Sequence, residues 1–241
     1  MPQIKLNELK PKVVLGIVAH PDDLDFAAAG TFVKWAMLGT KIYYLILTDG
    51  CKGSAQRHLS TSDLITLRQK EQKQAGKILG IKKVFFCGYE DGSLENNQDV
   101  KRVVVSYIRK IKPDIVVTFD PTMVYVADSG FINHPDHRAA GQAALDGVFP
   151  LARDRLSFPE LLAEGLKPHI TPTVLLANFN NQNYFEDITK TIDKKMDSLA
   201  VHKSQIANME ATQNMIRNIA VQTGKLCGHK YAEGFVRIDI M

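Results

Sequence analysis

One imidazole and three carboxylates stand close together in His20-Pro21-Asp22-Asp23-Leu24-Asp25, directly after the apolar run Val13 to Ala19. Far downstream, Asn133-His134-Pro135-Asp136-His137-Arg138 repeats the theme with two imidazoles and a further carboxylate. Two histidines and one carboxylate with an open fourth position is the ligand set of catalytic rather than structural zinc. His20 and Asp23 lie three residues apart across a turn fixed by Pro21, within reach of one ion. Asp22 and His134 are then free for proton transfer and charge stabilisation. The same stretch argues against a dinucleotide-binding loop, which needs glycines and backbone amides where this chain has carboxylates that repel phosphate.

The elements that must position these residues alternate. Val13 to Ala19, Ile42 to Leu47, Val84 to Cys87 and Asp114 to Phe119 are short, β-branched and apolar without alternation, as strands buried on both faces of a parallel sheet are. Helical spacing fills Phe26 to Leu38, Leu64 to Leu79, Val100 to Ile111 and about 136–148. Gly39-Thr40, Gly80 and Lys112-Pro113 punctuate the helix ends. This pattern predicts an α/β, Rossmann-like fold: a mainly parallel sheet with helices on both faces, in a single domain over 1–241. Its core spans about 11–178, and 179–241 form an extension in which Ile188 to Leu199 predicts a long helix and Tyr231 to Ile240 a closing strand. Ligands bind such sheets at the carboxyl ends of the strands. There the chain places the His20 turn, Thr48-Asp49-Gly50, Gly88-Tyr89-Glu90-Asp91-Gly92 and Asp120-Pro121.

Composition names no macromolecular partner. The 30 basic and 26 acidic residues, for a formal net charge of +4, are spread along 241 residues rather than gathered in the patch a nucleic-acid binder needs. Cys51, Cys87 and Cys227 form no C-x-x-C pair, which predicts neither a disulfide framework nor a thiolate metal site and fits a reducing cytoplasm. The first apolar run is too short to span a bilayer, and no export signal is expected.

Ala19-His20-Pro21-Asp22-Asp23-Leu24-Asp25, followed by Gly30-Thr31, resembles the A-H-P-D-D-x-[ED] signature of the LmbE/PIG-L deacetylases, and His134-Pro135-Asp136-His137-Arg138 resembles their second motif. Leu47-Thr48-Asp49-Gly50, Arg68 with Glu71, Leu79-Gly80, Gly88-Tyr89-x-Asp91-Gly92 and Pro113-Asp114 match the segments between. His202-Lys203-Ser204-Gln205 and Tyr231-Ala232-Glu233-Gly234-Phe235 resemble the later ones. The resemblance implies a hydrolase that removes an N-acetyl group from an N-acetylglucosamine-like small molecule. It implies zinc held by His20, Asp23 and His137, with Asp22 as general base and His134 stabilising the oxyanion. Fe2+ or another divalent ion fits the same ligands.

Around this centre the sequence supports further expectations. Asp136 is expected to hold a protonated His134 in place. Arg68, Asp49 and His202 are expected at the substrate, Asp49 and Asp120 alternatively behind a metal-bound histidine, and Asp25 as a helix cap. Thr122 to Asn133, with Tyr125 and Phe131, is read as a lid or a contact between subunits of a homo-oligomer, while His58, His169 and His229 match no motif. The competing readings are a metal-dependent amidase or phosphoesterase with the same ligands, and a non-catalytic sugar- or metal-binding protein.

Overall fold

The computed structural model describes residues 8–54, 59–178 and 180–240, apart from the Ser129 side chain; His58 lies outside them. Strand β1 (Val13–Val18) runs into helix α1 (Asp23–Met37), followed by β2 (Lys41–Thr48), α2 (Thr61–Leu79), β3 (Lys83–Tyr89), α3 (Gln98–Ile111) and β4 (Ile115–Phe119). A short hairpin, β5 (Tyr125–Val126) with β6 (Phe131–Ile132), precedes α4 (Pro135–Asp146). The chain continues through α5 (Pro159–Ala163), β7 (Thr173–Ala177), β8 (Tyr184–Asp187), α6 (Ile192–Leu199), α7 (Met209–Cys227) and β9 (Ala232–Asp239).

The main sheet has the order β3-β2-β1-β4-β7-β9-β8. Strands β3, β2, β1, β4 and β7 pair in parallel, and β9 pairs antiparallel with both β7 and β8. The expected mainly parallel sheet is thus present. Because successive side chains of a strand point to opposite faces, Leu15, Ile17 and Ala19 pack with Val100, Val104 and Ile108 of α3 and Ala140, Ala143 and Ala144 of α4. Val14 and Val18 pack instead with Leu24, Ala28, Phe32 and Trp35 of α1. Both faces of β1 are therefore sealed, which is why its sequence is apolar without alternation.

Strand β1 sits between β2 and β4. The chain leaves β1 toward β2 and later returns to β4 on its other side, so the crevice at the carboxyl ends of β1 and β4 is the switch point where open α/β sheets bind ligands. Helix α1 starts at Asp23, three residues before the expected Phe26, so the His20 turn and the helix N-terminus coincide. Helix α2 begins in a capping box between Ser60 and Asp63 and ends at Gly80 in the left-handed conformation.

The carboxy-terminal expectations need correction. The helix over Ile188 to Leu199 begins only at Ile192, and Ile188 instead packs under α1 beside Phe26. The nineteen-residue α7 and edge strand β8 were not expected. Helix α7 exposes Met215, Ile219 and Leu226 while burying Ile216 and Ala220, so its apolar residues mark no single stripe in the sequence. No helix of the described residues is long and apolar enough to cross a membrane.

Helix α4 approaches β4 closely at Gly141, where an added Cβ would collide with the Phe119 carbonyl oxygen. A G141A variant should therefore lose about 1–3 kcal/mol through overpacking. Chemical unfolding measures it, and unchanged stability would show that the helix can retreat freely.

Candidate active site and metal centre

Three donor groups from the two sequence clusters meet at the rim between β1 and β4. His20 Nδ1 lies 3.2 Å from His137 Nε2, the Asp23 carboxylate is 3.0 Å from His137 Nε2, and its other oxygen is 3.6 Å from His20 Nδ1. For metal bonds near 2.0 Å, tetrahedral ligands stand about 3.3 Å apart, so these spacings suit one zinc-sized ion. His20, Asp23 and His137 form a donor cluster among the described residues, and a second, His20 with Asp91 and His134, shares its histidine.

The outer nitrogen of each imidazole is anchored. His20 Nε2 faces Asp91 Oδ1 at 3.2 Å and Asp136 Oδ2 at 3.3 Å, and His137 Nδ1 donates to Asn133 Oδ1 at 3.1 Å. With these nitrogens protonated, the inner ones turn lone pairs to the common point, as metal-ligating histidines do. Phe119, the last residue of β4, stacks on the His137 ring at a 4.5 Å centroid separation. The electrostatics also call for a cation. Burial works against a charged His20, yet Asp23 and Asp91 raise its pKa to about 10. Burial likewise opposes an ionised Asp23, but His137 and His20 pull its carboxyl well below the usual range. The residues present fit a zinc-type ion in donor type, spacing and charge.

Asp22 is the N-cap of α1 in the left-handed conformation, with φ 89° and ψ −26°, and its side chain makes no capping bond. Such a backbone costs a non-glycine residue about 1–3 kcal/mol and persists only where its surroundings fix it. The Asp22 N–H donates to Gln72 Oε1 at 2.6 Å. Arg68 donates to the carbonyls of Pro21 and Gly50, both at 2.9 Å, and reaches Asp22 Oδ2 at 3.4 Å. Burial, reinforced by the charge of Asp23, pushes the Asp22 carboxyl up to about 6 although Arg68 pulls it down.

His134 is the N-cap of α4, with Pro135 in the first helical turn, and its Nδ1 accepts the Asp136 backbone N–H at 3.2 Å. That bond leaves Nε2 as the protonated nitrogen. Burial, aided by the charge of His20, holds the His134 pKa below its ordinary value. The expected contact between His134 and the Asp136 carboxylate is replaced by one with the Asp136 backbone N–H. The Asp136 carboxylate accepts the N–H groups of Gly92 at 2.7 Å and Leu94 at 3.2 Å, so it ties the loop after β3 to α4 and faces His20.

The residues expected at the substrate are held by partners within the chain. Arg68 and His202 are buried, with exposures of 5% and 1%. Arg68 is engaged by the turn carbonyls, and His202 Nε2 pairs with Asp25 at 2.7 Å. Asp49 Oδ1 accepts the N–H groups of Cys51 and Asp91, at 3.0 and 3.2 Å, and so shapes the loops rather than a histidine. Asp120 accepts from Asn178 and Thr122 at the base of the β5–β6 hairpin, again away from any imidazole. Asp25 is fully buried and caps no helix. Sequence reasoning missed Asp91, Asn133 and Gln72. Asp91 was quoted only as part of a motif, and Asn133 stands four residues before His137, one helical turn away.

Comparison with known proteins identifies a family for the chain. A family model described as PIG-L, GlcNAc-PI de-N-acetylase, matches residues 15–148. Diacetylchitobiose deacetylase of Thermococcus kodakarensis is 35% identical over 225 residues, covering 92% of this chain and 82% of that protein. A Bacillus anthracis protein named probable N-acetyl-alpha-D-glucosaminyl L-malate deacetylase 2 is 28% identical over 80% of this chain and 81% of its own length. The solved structure of N,N'-diacetylchitobiose deacetylase from Pyrococcus horikoshii superposes with a TM-score of 0.88 at 31% identity, covering 95% of this chain and 84% of that one. On the match across more than half its length and the extended identity to one relative, this chain belongs to the PIG-L family.

Proposed function

We propose that the protein is a zinc-dependent hydrolase that removes the N-acetyl group from a small molecule containing N-acetylglucosamine, releasing acetate and a free amine. The observation that carries the proposal is the meeting of His20 Nδ1, His137 Nε2 and the Asp23 carboxylate beside the ionisable Asp22, in a chain 35% identical to a diacetylchitobiose deacetylase. The same relatives support an amino-sugar substrate.

Bound by His20, Asp23 and His137, Zn2+ supplies Lewis acidity, which lowers the pKa of a water from 15.7 to about 7 and polarises an amide carbonyl. Asp22 takes the proton from the attacking water; with its pKa raised to about 6 it is ionised at neutral pH yet more basic than a free aspartate. The His134 Nε2–H donates to the oxygen that gains charge as the carbonyl becomes tetrahedral. With Nδ1 accepting the Asp136 N–H, His134 would have to become imidazolate to give up the Nε2 proton. Return of the proton to the departing amine therefore falls to Asp22, as the C–N bond breaks and acetate is left.

The charges near the centre disfavour a phosphoesterase. Arg138 donates to the Asn133 carbonyl, Lys52 pairs with Glu90 at 3.0 Å and Arg68 is buried on backbone carbonyls, so the few cations near the centre are already engaged rather than set out for the phosphoryl oxygens such enzymes neutralise. The free thiols of Cys51, Cys87 and Cys227 support a reducing, cytoplasmic setting.

Purified protein, stripped with chelator and reloaded with zinc, should release acetate from N,N'-diacetylchitobiose or another N-acetylglucosamine derivative and should leave phosphomonoesters intact. Zinc-dependent phosphate release without acetate would overturn the proposal. D22N should keep about one zinc per chain while kcat falls at least about 100-fold; retention of most activity by this variant would remove Asp22 from the role of base.

A further inference from the structure

Helix α2 presents Arg68 and Gln72, one turn apart, to the turn that carries Asp22. We propose that Gln72 is a positioning residue of this hydrolase, fixing the Asp22 peptide in the conformation from which its carboxylate serves the reaction; the inference rests on Asp22 acting as the base.

Gln72 is 1% exposed and uses both ends of its amide. Its Oε1 accepts the Asp22 N–H at 2.6 Å, and its Nε2 donates to Asp25 Oδ2 at 2.8 Å. That Asp25 oxygen also receives His202 Nε2 at 2.7 Å, so the amide orientation is set by a buried neighbour that is itself held. On the other side of Asp22, its carbonyl accepts the N–H groups of Asp25 and Phe26 at 2.9 and 3.1 Å. The left-handed turn is thus pinned at both of its polar ends, and the side chain of Asp22 is aimed by its backbone. Arg68 holds the carbonyl of the same peptide, donating to Pro21 at 2.9 Å, while its contact with the Asp22 carboxylate is long at 3.4 Å.

The chemistry of the position selects glutamine. The Asp22 N–H needs an acceptor and the Asp25 carboxylate needs a donor, both at the tip of one side chain of this length, and among side chains of that length only a glutamine amide carries both. A carboxylate there would keep the acceptor and confront Asp25 with a like charge. A methionine would fill the volume and leave two buried polar groups unpaired.

The pairing can be inverted. Q72E should lower kcat about ten- to a hundredfold through misplacement of the base, with KM and zinc content within about twofold of wild type. In Q72E/D25N the carboxylate at position 72 accepts both the Asp22 N–H and the amide N–H now offered from position 25. The nitrogen that stands in place of Asp25 Oδ2 has a second N–H, and His202 Nε2 accepts it when the imidazole carries its proton on Nδ1. The double variant should recover at least about tenfold in kcat over Q72E; if Q72E does not fold, recovery of soluble, zinc-loaded, active double variant is the equivalent result. A Q72E enzyme with wild-type kcat, or a double variant no better than Q72E, would overturn the inference. D22N assayed alongside separates the two levels: an active D22N defeats the reading of Asp22 as base, whereas an inactive D22N with no rescue in the double variant defeats only the role of Gln72.

Discussion

The site depends on one juxtaposition: the first turns of α1 and α4 meet over the carboxyl ends of two adjacent parallel strands, β1 and β4. His20 and Asp23 stand on either side of the N-cap of α1, and His137 lies in the first turn of α4. Neither helix alone can surround an ion, because each contributes too few donors that face one point. The sheet supplies the missing constraint. Pairing of β1 with β4, the apolar sealing of both faces of β1, and the close approach of α4 at Gly141 bring the two N-termini together. The helix dipoles add to this, since N-terminal turns favour the carboxylates that the metal cluster and its surroundings require.

A second constraint follows from concentrating acidic groups there. Asp22, Asp23, Asp25, Asp91 and Asp136 are all largely buried, and buried carboxylates must be paired or hydrogen-bonded. Each of them has a partner. Asp25 takes His202 and Gln72, Asp136 takes two backbone N–H groups, Asp91 takes His20 and the Lys52 N–H, and Asp22 takes Arg68. Glu71 of α2 receives the backbone N–H and hydroxyl of Ser204, fastening the segment after α6 behind the same turn. Much of the polar inventory around the site is therefore scaffold that keeps a charged turn rigid, and a small remainder is left for the proposed chemistry: Asp22 to move the proton and His134 to donate to the oxyanion.

This division explains what the sequence reveals and what it hides. The strands and helices through α4 are legible because their periodicity follows from burial on one or two faces. The donor cluster of His20, Asp23 and His137 is legible because imidazoles and carboxylates flank proline turns where a strand runs into a helix. Arg68, Asp49 and His202 were placed at the substrate because their residue types could serve there. Whether a polar tip meets substrate or backbone is settled by docking of distant segments: His202 and Asp25 lie 177 residues apart. The same limit hid Gln72, whose partners sit on α1, and left α7 unread, since its apolar residues divide between a buried and an exposed face. The direction of the Asp136 carboxylate was likewise invisible, because the loop after β3 that it binds is remote in sequence.

The central claim, that His20, Asp23 and His137 hold the one metal on which hydrolysis depends, is most directly tested by diffraction from zinc-reloaded crystals at energies on either side of the zinc absorption edge. The account predicts one anomalous peak per chain, within about 2.0–2.3 Å of His20 Nδ1, His137 Nε2 and an Asp23 oxygen. Zinc bound only elsewhere, or none bound in protein that still releases acetate, would contradict it.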